Sequence, residues 1–242
     1  MVRGSQFEVV NQIPGNLAVV RDRIAAAVRT AGRSSDSVRL VAVSKTFPVE
    51  DIQAAYSAGQ RDFGENKVQE ALQKIAVTTE LEIRWHLIGH LQSNKARKAG
   101  PSFHSIHSID SVDLLRRVDR AAVESGAAPE VLIQVDLAGE SSKHGIAVDE
   151  LVAIARAGNE CRAARLTGLM LLPPWSEDPE ATRPYFRRLR ELRDQLATEG
   201  IEASHLRELS MGMSHDYEVA IQEGATIVRV GTAIFGKRTV RT

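Results

Sequence analysis

Lys45 closes a short apolar run, Val38-Arg39-Leu40-Val41-Ala42-Val43-Ser44, and Thr46-Phe47-Pro48 follows it. A brief β-branched run stopped by proline reads as a buried strand rather than a helix. An ammonium at the end of such a strand is costly unless it is paired, and burial drives the pKa of an amine down. A depressed pKa is the property a Schiff-base lysine needs. The bland alternative, a solvated lysine just past a strand end, is the commoner situation for lysine in general. Two later segments bear on the choice. Leu209-Ser210-Met211-Gly212-Met213-Ser214 and Arg229-Val230-Gly231-Thr232 each end an apolar run in glycine and a hydroxyl. Glycine lets an anion approach the backbone, and hydroxyls donate to it. Ser214 also reads as a helix N-cap and Gly231 as a turn glycine, both commonplace structural roles.

Positioning these groups together requires particular elements. The chain opens with a helical pattern from about Asn11 to Gly32, with Leu17, Val20, Ile24, Ala27 and Val28 as its apolar stripe. Strand candidates follow at Val38–Ser44, Asp62–Gly64, Arg84–Gly89, Ser105–Ile109, Glu130–Asp136, Arg165–Leu172, Glu208–Met211 and Ile227–Val230. Amphipathic helix candidates lie between them, at Val49–Ala58, Lys67–Ala76, Ser93–Ala99, Ser111–Glu124, Ala147–Ala157, Arg183–Glu199 and His215–Glu223. Strands alternating with helices of this length argue for parallel pairing, and eight units match a (β/α)8 TIM-type barrel. A doubly wound open sheet is the main competitor, but no glycine-rich phosphate turn follows the first strand. The barrel is therefore expected as a single domain over residues 1–242, with the amino-terminal helix packed on it.

In a barrel the carboxyl ends of all strands converge on one face, and the turns after strands seven and eight often hold phosphate. Lys45 at strand one, facing Ser214, Gly231 and Thr232, then specifies a ligand with a carbonyl at one end and a phosphate at the other. Pyridoxal 5′-phosphate fits that description, with Lys45 as its imine partner. A phosphate-binding isomerase barrel that uses Lys45 only as a charge is a further possibility.

The segments Ala-Val-Ser-Lys45-Thr, Phe-Gly-Glu-Asn66-Lys-Val-Gln-Glu, Trp-His86-Leu-Ile-Gly-His-Leu-Gln-Ser-Asn-Lys, Ser-Met-Gly-Met-Ser214 and Val-Arg229-Val-Gly231-Thr232-Ala-Ile-Phe-Gly stand in this order in the chain. Together they resemble the pyridoxal phosphate homeostasis proteins, the YggS/PROSC type, whose fold is similar to the amino-terminal barrel of alanine racemase. The resemblance runs from about Asn11 to the carboxyl terminus. It implies that Lys45 forms the Schiff base, that Ser214 with the Gly231-Thr232 turn holds the phosphate, and that Arg229 faces the pyridine nitrogen. It also implies that Asn66 lies near the phenolic oxygen and His86 near the ring. His90 departs from the family pattern, which often has proline after Ile-Gly. Glu140-Ser-Ser-Lys143-His144-Gly145 resembles a family loop after strand five, with Lys143 either approaching the site or solvated. The implied role is to buffer, protect or deliver pyridoxal phosphate in vitamin B6 and amino-acid homeostasis, without substantial turnover. The partners implied are the cofactor and apo forms of pyridoxal phosphate-dependent enzymes, and the expected state is a monomer.

A pyridoxal phosphate-dependent amino-acid racemase is the alternative. Two-base racemisation needs an acid–base group on each face of the substrate Cα, and in alanine racemases part of it comes from a second, β-rich domain. This sequence ends soon after the eighth strand; His86, Tyr217 and His215 are the residues that could substitute.

Composition excludes other classes. Thirty-one basic and thirty-one acidic residues cancel, which argues against nucleic-acid or membrane-surface partners. The arginines from Arg183 to Arg193 alternate with Glu191 and Asp194 at helical spacing, a solvated face rather than a basic patch. Cys161 is the only cysteine, so an internal disulfide and a cysteine metal cluster are excluded. His86 and His90 are four apart in a strand-to-turn segment with no third ligand evident, so no metal site is expected. No signal-peptide pattern and no apolar run of about 20 residues occur, and the expected location is cytoplasmic.

Overall fold

The computed structural model describes residues 3–139 and 144–237, with side chains from residue 12 onward. Eight parallel strands close into a barrel in sequence order. They are β1 (Arg39–Val43), β2 (Asp62–Glu65), β3 (Arg84–Leu87), β4 (Ser105–Ile109), β5 (Glu130–Val135), β6 (Arg165–Leu171), β7 (Glu208–Met213) and β8 (Ile227–Val230). Strand β8 closes onto β1 with Leu40 opposite Val228 and Ala42 opposite Val230. This is the expected (β/α)8 architecture.

The outer ring comprises α2 (Val49–Ser57), α3 (Val68–Ala76), α4 (Ala96–Ser102), α5 (Val112–Ser125), α6 (Leu151–Gly158), α7 (Arg183–Thr198) and α8 (Tyr217–Gln222). The amino-terminal helix α1 (Arg3–Thr30) and a short turn of helix after β8, α9 (Thr232–Phe235), complete it. Helix α1 packs against α2, α8 and α9, and so fills the gap in the ring left by the short α9. Its expected stripe is the buried face: Leu17, Val20, Ile24, Ala27 and Val28 are all buried, joined by Ile13. The helix runs back to Arg3 instead of starting at Asn11, passing through Pro14.

The main core lies between strands and helices. Inside the barrel, Val41, Leu132, Met170 and Ile227 form a separate small cluster. The rest of the inner space holds buried polar side chains, including Asp62, His86, His107, Ser210 and Arg229. TIM-type interiors are ordinarily filled by branched aliphatic residues, so this polar column must be internally satisfied to be tolerated. No helix among the described residues is long and apolar enough to cross a membrane.

Candidate functional site

Lys45, Asn66, Ser214, Arg229, Gly231 and Thr232 line one cleft of about 400 Å³ at the carboxyl ends of the strands. That volume lies within the range of small-molecule sites. Lys45 is half-buried, and the backbone around it is tightly held. Thr46, directly after it, has φ +69°, the only positive φ at a non-glycine among the described residues. A β-branched residue in the left-handed region is strained by about 1–3 kcal/mol, a signature that clusters at functional sites. The strain is held by a cluster from β2 and α3 that is buried at Glu65 and Lys74 and half-buried at Glu70. Glu70 Oε1 accepts the Thr46 N–H at 2.6 Å. Lys74 Nζ donates to the Ser44 carbonyl at 2.9 Å, to Glu65 Oε1 at 2.8 Å and to Glu70 Oε1 at 2.9 Å. Ser44 Oγ donates to Glu65 Oε1 at 2.6 Å. Both neighbours of Lys45 are therefore clamped. Burial pushes the Glu65 carboxyl up despite the opposing Lys74 charge.

Asn66 follows β2 and is held by close packing of the next turn. A Cβ at Gly89 would lie 2.4 Å from the Asn66 carbonyl oxygen, so only glycine fits there. Ser108 Oγ donates to the Gly89 carbonyl at 2.7 Å and pins the same turn to β4.

Ser214 does not cap α8, the helix that follows it, contrary to one sequence reading. Helix α8 begins at Tyr217, and Asp216 turns back to accept the Met213 N–H at 2.6 Å. The Ser214 hydroxyl instead accepts the Gly231 N–H at 3.1 Å and joins the β7 and β8 turns. Gly212, also considered for the anion turn, is outside the cleft wall. Its φ is +94°, and a Cβ there would lie 2.7 Å from that of Ala220, so its task is packing under α8.

His86 is fully buried and absent from the cleft wall, where Ile88 and His90 stand instead. Alternation puts 86, 88 and 90 on one side of the chain, and at about 3.3 Å per residue His86 lies one layer, roughly 6–7 Å, deeper than Ile88. There it belongs to a chain of bonds that sequence reasoning missed. Arg229 Nη1 donates to Ser210 Oγ at 2.5 Å, and Nη2 donates to the Leu171 carbonyl at 2.8 Å. Ser210 Oγ lies 2.8 Å from His107 Nδ1, His107 Nε2 lies 3.0 Å from His86 Nδ1, and His86 Nε2 lies 2.9 Å from Asp62 Oδ1. Asp62 also accepts two bonds from Arg84, at 2.8 and 2.6 Å.

The direction of this chain follows from its ends. Arginine can only donate and a carboxylate can only accept. Burial alone would raise the Asp62 carboxyl, but the bonds from His86 and Arg84 overcome it and hold the group well below the usual carboxylate range. His86 Nε2–H therefore donates to Asp62, His107 Nε2–H to His86 and Ser210 O–H to His107. Ser210 is left to accept from Arg229. Both imidazoles are then neutral, in keeping with burial lowering the pKa of His86 and, more strongly, of His107. Arg229 is pulled down to about 10 by burial, with Asp216 opposing. It remains a cation at neutral pH.

Of the other acid–base candidates, Tyr217 is buried beneath Arg23 of α1, with its ring 5.5 Å from the guanidinium carbon, and does not reach the cleft. His215 does line the cleft, and its Nε2 bonds the Glu177 carbonyl at 2.8 Å. Cys161 is half-buried and remote from the cleft wall, and burial pushes its thiol up to about 11. Lys143 lies outside the described residues. Arg183, Arg187 and Arg190 converge on Glu223, so the arginine-rich helix is tied into a structural ion-pair network.

The family model for the alanine racemase N-terminal domain matches residues 16–239. The pyridoxal phosphate homeostasis protein of Aquifex aeolicus is 44% identical over 222 residues, covering 92% of this chain and 96% of that protein. Its counterpart in Escherichia coli is 43% identical over 235 residues, covering 95% and 98%. The chain belongs to the pyridoxal phosphate homeostasis protein family. Among solved structures of related proteins, PipY of Synechococcus elongatus PCC7942 without PLP is 42% identical, with a TM-score of 0.83 over 93% of this chain and 100% of that one. The same protein with PLP bound gives a TM-score of 0.78 over 88% and 100%. Alanine racemase from Corynebacterium glutamicum, 18% identical, matches with a TM-score of 0.63 over 90% of this chain and 62% of that one, and so shares the barrel fold. A larger depression of about 670 Å³ lies beside Asp136 and Tyr185.

Proposed function

We propose that this member of the family binds pyridoxal 5′-phosphate reversibly in the Lys45 cleft and serves vitamin B6 and amino-acid homeostasis as a carrier rather than as an enzyme. The observation that carries this reading is the convergence of Lys45 from β1 with Ser214 from β7 and Gly231-Thr232 from β8 on one cleft. The residues present suit the cofactor. An amine stands at one side for its aldehyde, and the Ser214 and Thr232 hydroxyls stand at the other for its phosphate. Arg229 would face the pyridine nitrogen and Asn66 the phenolic oxygen. When bound, the cofactor would supply an electrophilic carbon for the Lys45 amine to hold.

The chain's own residues favour retention over turnover. Arg229 is fixed by Ser210 and the Leu171 carbonyl and can donate but not accept a proton. A pyridine nitrogen facing it stays unprotonated, which weakens the electron sink that transamination requires. His86 and Tyr217, two of the three candidate second bases, are buried away from the cleft. Apo forms of pyridoxal phosphate-dependent enzymes are the recipients such a carrier would serve, and a monomer leaves its cleft open to them. The experiment is to incubate cofactor-loaded protein with a panel of L-amino acids and to follow chirality and keto-acid formation. Binding without steady turnover is expected. Multiple turnovers on any one of them, abolished by Lys45→Ala, would establish a racemase or transaminase instead.

A further inference from the structure

Beside the Lys45 cleft the ends of three consecutive strands bring together His90 after β3, Asp110 after β4 and His144 on the return of the loop after β5. One donor atom from each lies within 4.8 Å of the other two. His90 Nδ1 is 3.4 Å from Asp110 Oδ2. The imidazoles of His90 and His144 stack face to face, with ring centroids 3.6 Å apart and planes inclined by 17°. We propose that His90, Asp110 and His144 form a binding site for a divalent transition-metal ion of the zinc class, at the mouth of the cofactor cleft.

The donor set and its spacing support this. Two imidazoles and one carboxylate are the ligands that zinc and its neighbours prefer, and three protein ligands leave a fourth position open. Zinc–nitrogen and zinc–oxygen bonds of about 2.0–2.2 Å place tetrahedral donors roughly 3.4 Å apart. The His90–Asp110 pair already stands at that separation. The His90 and His144 rings lie in near-parallel planes, so binding requires the His144 ring to swing out of the stack until its nitrogen lone pair converges with that of His90 on the ion.

The supporting backbone is built rather than accidental. The turn carrying His90 is pinned by Ser108 on the Gly89 carbonyl. His144 is anchored by the Gln134 side chain, which donates to its carbonyl, and by a ladder in which Ile146 N–H bonds Gln134 O at 2.8 Å and Asp136 N–H bonds Ile146 O at 3.0 Å. Asp110 follows directly on β4. His90 and His144 line the same cleft as Lys45 and Asn66, so the open coordination position is available to a ligand in that cleft. The first and last members are 54 positions apart in sequence and the three stand on different loops, which is why the His86–His90 spacing gave no hint of the set.

The test is to titrate the full chain with Zn2+ in a phosphate-free buffer by calorimetry, and with Co2+ by visible spectroscopy. One equivalent of Zn2+ should bind, and Co2+ should develop ligand-field bands. His90→Ala and His144→Ala should each weaken Zn2+ binding more than about tenfold and abolish the Co2+ bands; loss of a mere outer-shell partner already costs roughly 10–100-fold. Asp110→Asn should weaken it in the same direction. His205→Ala, on a remote loop, should leave it within about twofold, and an excess of Mg2+, which favours oxygen donors, should not compete. Sub-stoichiometric binding, or an affinity changed less than twofold by both His90→Ala and His144→Ala, would overturn the assignment. Equal loss in His205→Ala, or ready competition by Mg2+, would do the same. Circular dichroism of each variant separates loss of the site from loss of the fold, and none of these readouts depends on the cofactor being bound.

Discussion

Replacing Lys74 by methionine tests the clamp around Lys45. The substitution keeps the apolar stem and removes an ammonium whose three hydrogen bonds go to the Ser44 carbonyl, Glu65 and Glu70. Glu65 is fully buried, and its Oε2 has no partner among the described residues, so without Lys74 the carboxylate keeps only the Ser44 hydroxyl. Breaking a buried pair by deleting one member costs about 3–5 kcal/mol, because the remaining charge is uncompensated. For a chain of this size that is roughly 6–20 °C in Tm. The sign with pH follows from Glu65. Its native pKa is already raised by burial, so the native state holds that proton more tightly than the unfolded chain. Its stability penalty is present above the native pKa and shrinks as pH falls towards the unfolded value near 4.3. Loss of Lys74 raises that pKa further, so the deficit of Lys74→Met should shrink by up to about 1.4 kcal/mol per pH unit on acidification. Adding Glu65→Gln should restore most of the stability at pH 7.5. The assay is urea unfolding followed by far-ultraviolet circular dichroism at pH 7.5 and 5.5, always as a difference from the parent chain. A loss under about 1 kcal/mol, or an undiminished loss in the Glu65→Gln background, would refute the clamp. Cofactor retention should fall in parallel, since Ser44 and Thr46 on either side of Lys45 are then loosened.

Two other perturbations probe the phosphate turn and the inner chain. Ser214→Ala should weaken pyridoxal phosphate binding by about 1–2 kcal/mol, the scale of one hydrogen bond to a charged group, and should barely affect pyridoxal; equal losses for both ligands in a fluorescence titration would reduce Ser214 to a brace between turns. His86 and His107 both have native pKa values below the ordinary value. They stay neutral in the native state while the unfolded chain takes up protons below about pH 6.5, so stability should fall on acidification through that point by up to about 1.4 kcal/mol per group per pH unit. His107→Phe should lower stability at pH 7.5 and flatten this slope, and an unchanged slope would show that the imidazoles are not held neutral.

The barrel was legible because its strands and helices carry different periods. The stripe from Leu17 to Val28 and the eight apolar runs needed no tertiary information to be recognised. Lys45, Ser214, Gly231 and Thr232 were legible as strand-end residues, since the fold alone brings such ends together. What failed was the inside of the barrel. In Ser105-Ile106-His107-Ser108-Ile109, alternation puts Ser105 and His107 on one face but does not tell a solvated face from a lumen. Ser214 looked like a cap because Asp216, two residues on, could not be seen folding back onto Met213. The Glu65–Lys74 and His90–Asp110–His144 groups join separate elements, and only the closed barrel sets those distances.

The most direct measurement is borohydride reduction of pyridoxal phosphate-loaded protein followed by peptide mapping. The proposed function predicts a pyridoxyl group on Lys45, and Lys45→Ala should lose both the label and the visible absorbance band. A label confined to another lysine, or an unchanged band in Lys45→Ala, would contradict the placement of the cofactor in this cleft.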